Sequence, residues 1–119
     1  MAKLNTGTVT AYIDALPFEQ GAALRTLRQL IERAAPKAKA SMGLGLPSWD
    51  LKGPLFALSV GERDMTLFVS EPDLVFARKK SFGNVEVGKT SLKFKRLEDL
   101  DLASVEKLLV DTARRREGR

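Results

Sequence analysis

Apolar residues recur at helical spacing near both ends of the chain. The first apolar stripe follows Thr8, whose hydroxyl suits an N-cap, and stops at Pro17. A second stripe begins after Pro17 and stops at Pro36, with arginines and other polar residues on its outer side. A third stripe follows Asp101, which can cap it; its inner positions are Leu102, Val105, Leu108, Leu109 and Thr112. The pattern predicts two helices before residue 37 and one at the end of the chain.

Between these helical stripes the apolar residues alternate with polar or small ones, as in strands. Alternation over 41–46 predicts a half-buried strand that is either bent at Pro47 or lies at an edge of the sheet. A turn at Lys52 and Gly53 precedes a buried strand at 55–60, which the polar turn 61–64 joins to an antiparallel partner at 65–69. A last strand is predicted over 91–95, with Leu92 and Phe94 facing inward.

A short helix is predicted after residue 70, where acids and Pro72 stand in the first turn. Of the phenylalanines beside the basic run that follows it, both Phe76 and Phe82 are expected in the core. The element order is α-α-β-β-β-α-β-α, which favours an α+β fold: a mainly antiparallel sheet with helices packed on one face. One domain is expected over 8–113, between a flexible N-terminus (1–7) and a basic C-terminal tail (114–119).

The composition excludes several kinds of chemistry but says less about the fold. The chain has 119 residues without a cysteine or a histidine, which excludes disulfides, Ser-His-Asp catalysis and zinc sites of the usual kind. No apolar run reaches the roughly 20 residues of a membrane span. The N-terminus lacks the apolar segment of a secretory signal, so a cytoplasmic location without membrane attachment is expected.

The net charge of +5 is concentrated in one segment and at the end of the chain. Seven lysines and arginines but a single acid, Glu86, fall within 78–96, and four arginines fall within the last six residues. An anionic ligand or an acidic partner should meet these regions first. Nucleic acid is a further possible partner, because Arg78, Lys79 and Lys80 lie beside Phe76 and Phe82. The alternative is an ordinary solvated basic surface.

Two glycine-containing stretches carry the candidate binding residues. Glycines such as those in 43–49 can expose backbone N–H groups to a ligand, and Trp49 can stack on one; alternatively, Trp49 belongs to the core of a bent strand. The stretch Gly83–Thr90 has the residue count of a phosphate loop, yet it precedes an alternating strand rather than a helix, so the context fails. Lys89 can still help to hold an anion there. The predicted ligand-binding residues are Gly43, Gly45, Trp49, Lys89, Lys93 and Lys95.

The chain resembles domain-of-unknown-function family 1801, the YdhG-like proteins, over about 8–113. The resemblance rests on four stretches of the sequence. They are Thr8 to Pro17, Leu24 to Ile31 with Ala35-Pro36, Gly45-Leu46-Pro47-Ser48-Trp49, and Val87 to Phe94. It implies an α+β fold with helices on an antiparallel sheet and a layering like that of frataxin. It carries over no catalytic residues.

The resemblance also implies an alternative function, since some relatives are called frataxin-like iron chaperones. Iron binding of the frataxin type uses an acidic helix and edge strand, whereas the first two helices here carry only Asp14, Glu19 and Glu32 among several arginines. Without histidine or cysteine, oxygen ligands remain, and no close Asp/Glu cluster is visible. The sequence therefore favours a small non-enzymatic binding domain with no cofactor, no metal and no catalytic residue assigned. An anionic ligand near the basic strand is the first hypothesis, and an iron chaperone and weak nucleic-acid binding are the alternatives.

Overall fold

The computed structural model describes residues 8–118 of the chain, so the predicted flexible segment 1–7 lies outside the described residues. Four α-helices are present in this range: α1 (Val9–Asp14), α2 (Phe18–Ala34), α3 (Pro72–Ala77) and α4 (Leu102–Glu117). The strands are β1 (Lys39–Ser41), β2 (Ser48–Asp50), β3 (Pro54–Val60), β4 (Met65–Val69), β5 (Glu86–Val87) and β6 (Ser91–Phe94). They form one sheet in the order β1-β2-β3-β4-β6-β5, with every neighbouring pair antiparallel.

Two helices begin at the caps that the sequence predicts. The Thr8 hydroxyl oxygen accepts a hydrogen bond from the Ala11 backbone N–H at 3.0 Å, at the start of α1. The Asp101 carboxylate accepts one from the Ser104 N–H at 3.1 Å, at the start of α4. Each cap satisfies a donor that the first helical turn leaves without a partner within the helix.

One face of the sheet forms the core together with the helices. Leu58, Leu67 and Leu92 are cross-strand partners on β3, β4 and β6, and all three are buried. Helices α2 and α4 pack against each other and against β3, while α1 lies on α2 and α3 contacts α4. The predicted α+β architecture is confirmed.

The other face of the sheet carries the alternate residues of the same strands. One row crosses five strands in register: Ser41, Ser48, Ala57, Phe68 and Ser91 are successive cross-strand partners. Apart from Phe68, these side chains are small, so they project only a short distance from the middle of this face. We call this side of the sheet the open face.

The strand predicted over 41–46 is wrong. Only Ser41 of that segment is in a strand, and Gly43–Gly45 forms a 3₁₀ turn. Gly45 has φ +77, in the left-handed region that breaks a strand. Beyond the turn, Ser48 returns beside Ser41 as β2, and β1 begins earlier, at Lys39.

Two further differences concern the segment 72–91. Phe82 is fully buried as expected, but Phe76 is 67% exposed and does not belong to the core. On the short helix α3 the neighbouring Val75 takes the buried position, and Phe76 lies about 100° further round the helix, on its exposed side. The sequence also missed β5, a two-residue strand that pairs with β6.

The arginines near the end of the chain form the last turn of α4. Arg114, Arg115 and Arg116 continue the helix, with Gly118 as its C-cap residue. Arg116 is buried, at 8% exposure. The segment interpreted from the sequence as a basic tail is therefore helical up to Glu117, and Arg119 lies outside the described residues.

Candidate functional site

The open face contains a groove of about 400 Å³ that runs across the central strands. Ala57 and Phe68 contribute its floor, and Leu46 and Pro54 line it from segments that precede β2 and begin β3. The groove is formed because small side chains on β1, β2 and β3 lie beside larger ones at its margins. We call it the open-face groove.

At one end, the open-face groove is bounded by the 3₁₀ turn Gly43–Gly45. The Ser48 hydroxyl donates a hydrogen bond to the Leu46 carbonyl oxygen at 2.9 Å. Its oxygen also lies 3.4 Å from the Gly43 carbonyl oxygen. These contacts hold the turn against β2. Because the Ser48 hydrogen is used in this way, the lone pairs of its oxygen remain available to a donor in the groove.

At the other end, the groove is lined by Ser70, which follows β4, and by Thr90, which precedes β6. The Ser70 hydroxyl oxygen accepts a hydrogen bond of 2.8 Å from Nη2 of Arg116. Its own hydrogen is thereby left free to donate, since a hydroxyl has one donor in addition to its acceptor lone pairs. Ser48 and Ser70 thus offer opposite hydrogen-bonding roles to a bound molecule.

Arg116 also fixes the turn between β2 and β3. Its Nη1 carries two hydrogens, which are shared among the carbonyl oxygens of Leu51 and Pro54, both at 3.0 Å, and that of Gly53 at 3.2 Å. The turn exposes these oxygens because Lys52 has φ 56 and Gly53 has φ 107. One guanidinium therefore connects the Ser70 side of the groove to the Pro54 side.

Two carboxylates, those of Glu71 and Asp73, balance the positive charges of Arg115 and Arg116. Glu71, which is 5% exposed, lies 3.5 Å from Arg116 and 3.2 Å from Arg115. Arg115 also contacts both oxygens of Asp73 at 2.8 Å. The hydrogen bond from Arg115 lowers the pKa of Asp73, and the same bond raises the pKa of Arg115.

The predicted binding residues of the segment 43–49 are separated by the sheet. Gly43 lines the open-face groove, and a Cβ there would lie 3.5 Å from the Ser48 hydroxyl oxygen. Gly45 belongs to the same 3₁₀ turn. Trp49, in contrast, lies on the core face at 1% exposure, with its indole N–H donating to Glu32 at 3.2 Å.

The three predicted lysines do not line the open-face groove. Lys93 and Lys95 share a depression with three acidic residues, namely Asp64, Glu86 and Asp99. Lys89 lies on the turn between β5 and β6, in a cleft that also contains Phe76. The basic segment is therefore divided between two surfaces, and each of them also contains acidic residues, Asp73 being the one beside Lys89.

Sequence reasoning missed Ser70 and Arg116, which are distant in the chain and meet only in the fold.

Within residues 8–118, no group of three acidic side chains is arranged to hold a metal ion. No helix in the same range is long and apolar enough to cross a membrane.

Comparisons with known proteins bear on the fold. No family model matches the sequence, and no curated protein is significantly similar to it. A solved structure with the same architecture is that of YdhG, a protein of the DUF1801 family from Bacillus subtilis. The two structures superimpose with a TM-score of 0.70 over 86% of this chain and 85% of that chain, at 11% sequence identity. The chain therefore has the α+β fold of this Bacillus protein, as its resemblance to the family implies.

Proposed function

We propose that this domain is a small-molecule-binding module and that the open-face groove is its binding site. The observation that carries the proposal is the row Ser48, Ala57 and Phe68, which makes a depression of about 400 Å³ on a sheet face that no described helix covers. This volume falls within the range of about 300–1,000 Å³ typical of sites for small molecules.

The lining favours a compact and largely apolar ligand. Leu46, Pro54 and Phe68 supply apolar surface, and Asp50 is the only ionisable residue among those that line the groove in the described part of the chain. Among residues 8–118, no lysine or arginine contributes to this lining. An uncharged or cationic molecule suits this surface better than the anionic ligand expected from the sequence, because nothing in the lining would neutralise a negative charge.

The hydrogen-bonding groups define the ligand further. Ser70 presents a donor because its oxygen already accepts from Arg116, and Ser48 presents an acceptor because its hydrogen is already donated to Leu46. A ligand with an acceptor at one end and a donor at the other would satisfy both serines. The apolar body between these ends would contact Ala57 and Phe68.

A titration of ¹⁵N-labelled protein with neutral and cationic heteroaromatic fragments tests the proposal. We expect saturable amide shifts at Gly43, Ser48, Ala57, Phe68 and Ser70. The matched variants are Ala57→Leu, which fills the floor of the groove, and Ser59→Leu, which places the same side chain on the open face outside the groove lining.

The expected result is loss of the shifts in Ala57→Leu and their retention in Ser59→Leu. Fragments that shift both variants equally, or that shift no residue of the groove, would overturn the proposal. Shifts across the open face that depend on protein concentration alone would instead assign this face to a second copy of the chain. A mixture of anionic metabolites that saturates the same residues would overturn the neutral or cationic class.

A further inference from the structure

Phe76 is an aromatic side chain that the fold leaves in solvent. It lies on α3 at 67% exposure and lines a cleft of about 580 Å³ against the turn that joins β5 and β6. Lys79 comes from the turn that follows α3, and Gly88 and Lys89 come from the β5–β6 turn. We call the space bounded by these four residues the α3 cleft.

The α3 cleft contains the ammonium groups of two lysines, Lys79 and Lys89. Lys79 holds its Nζ over the Phe76 ring, 4.7 Å from the ring centroid, so the ammonium and the ring form one unit. Within residues 8–118, neither Lys79 nor Lys89 nor the adjacent Lys80 makes an ion pair. Asp73 also borders the cleft, but both of its oxygens are held by Arg115.

We propose that the α3 cleft binds single-stranded nucleic acid. An exposed ring offers a stacking platform for an unpaired base, and lysines beside it contact the phosphates on either side. A duplex keeps its bases stacked on one another and cannot use the ring in this way. An acidic peptide would contact the lysines but would leave the exposed ring unexplained.

The charge distribution agrees with a strand that passes through this cleft. Lys79 and Lys89 reach it from two different segments, the turn after α3 and the β5–β6 turn, and both are exposed. Both also belong to the basic segment 78–96. The site is distinct from the open-face groove, because Phe76, Lys79 and Lys89 do not line that groove. Each proposal can therefore fail without the other.

Fluorescence anisotropy with labelled oligo-dT and oligo-U of about twelve nucleotides, a length within the usual site sizes, tests the inference. The intact protein is titrated at about 50 mM and about 200 mM salt. Phe76→Ala removes the stacking surface, with Phe18→Ala as the control, because Phe18 is also exposed, at 84%, and lies outside the cleft. Lys89→Glu reverses a cleft charge, and Lys39→Glu makes the same change on the exposed strand β1.

We expect affinity that falls with salt, a loss of about tenfold in Phe76→Ala and no loss in Phe18→Ala. Lys89→Glu should weaken binding more than Lys39→Glu. Absence of binding at low salt, equal effects of the two phenylalanine variants, or equal affinity for a duplex of the same length would each overturn the proposal. Binding to vesicles with anionic headgroups but not to the oligonucleotides would overturn it in favour of a membrane surface.

Discussion

Arg116 Nη2 donates a 2.8 Å hydrogen bond to the hydroxyl oxygen of Ser70, and this contact joins the last turn of α4 to the open-face groove. The same guanidinium holds the carbonyl oxygens of Leu51 and Pro54. A side chain buried at the end of the final helix therefore sets the position of two walls of the groove. It also leaves the Ser70 hydrogen directed to other acceptors.

Replacement of Arg116 by alanine should destabilise the protein. The substitution leaves the carbonyl oxygens of the β2–β3 turn without their donor and removes one of the two cations beside buried Glu71. Breaking a buried charged network of this kind costs about 3 kcal/mol of unfolding free energy. Urea denaturation measures the effect, with exposed Arg114→Ala as the control, which should change stability by less than about 0.5 kcal/mol. A similar stability for the two variants would contradict the structural role of Arg116.

The role of Arg116 could not be predicted from the sequence, for a physical reason. Helical periodicity and the caps at Thr8 and Asp101 depend on neighbours a few residues apart, and those predictions are confirmed. The contact between Arg116 and Ser70 joins residues 46 apart in the chain. An arginine at a helix C-terminus is ordinarily explained by the helix dipole, and nothing in the local sequence distinguishes a buried arginine from a solvated one.

The grouping of the candidate binding residues was harder to predict than the fold, because it depends on where each strand begins and on which segments adjoin. Alternation over 41–46 indicated a strand, but the positive φ of Gly45 turns the chain and brings Gly43 to the groove. Ser48 and Trp49 are neighbours on β2 and therefore lie on opposite faces of the sheet, which follows only once the bounds of that strand are known. The three predicted lysines were grouped by proximity in sequence, whereas the fold separates Lys89 from Lys93.

Gly83→Ala is expected to be among the most damaging small substitutions. Gly83 has φ +105, and a Cβ at this position would clash with the Asp99 carbonyl oxygen. That carbonyl accepts from the Asn84 N–H at 2.8 Å, so the backbone there is already held in place. We expect the free energy of unfolding to fall by about 2–3 kcal/mol, which thermal and urea denaturation would measure.

Gly45→Ala is the matched control for Gly83→Ala. Gly45 also has positive φ, +77, but within residues 8–118 no atom beyond the adjoining residues would lie within 4 Å of its added methyl group. Backbone strain should therefore be the only cause of destabilisation in this variant, and it should lower the free energy of unfolding by about 1 kcal/mol. Equal losses for the two variants would show that backbone conformation alone, rather than close approach to Asp99, determines the requirement for glycine at position 83.

Trp49→Phe separates the core role of this residue from the binding role expected from the sequence. The smaller ring fills less of the core, and we expect a loss of about 1–3 kcal/mol in unfolding free energy. Glu32 keeps its ion pair with Arg28 at 3.2 Å, so its charge is not left alone. Fragment affinity at the open-face groove should not change, because Trp49 lies on the other face of the sheet.

The control for Trp49→Phe is Phe68→Ala. Phe68 is 37% exposed on the open face, so its removal should weaken fragment binding at a smaller cost in stability. Thermal denaturation followed by circular dichroism compares the stabilities, and the amide titration compares the affinities. Weaker fragment binding in Trp49→Phe than in Phe68→Ala would support the binding role that the sequence predicts for Trp49.

The ion pair between Arg78 and Asp111 predicts a component of acid sensitivity. The two side chains lie 2.6 Å apart, and the hydrogen bond from Arg78 lowers the pKa of Asp111 below its ordinary value of 3.8. Below that ordinary value the unfolded chain takes up the proton while the folded carboxylate remains charged, so stability falls as the pH drops. The contribution is complete at neutral pH and is lost once the pH passes below the folded pKa.

Urea denaturation between about pH 5 and about pH 2 tests this. The free energy of unfolding should fall less steeply with decreasing pH in Asp111→Asn than in the parent protein. Asp14→Asn, which removes an exposed pair with Arg25, is the control, and the same flattening in that variant would contradict a specific role for Asp111.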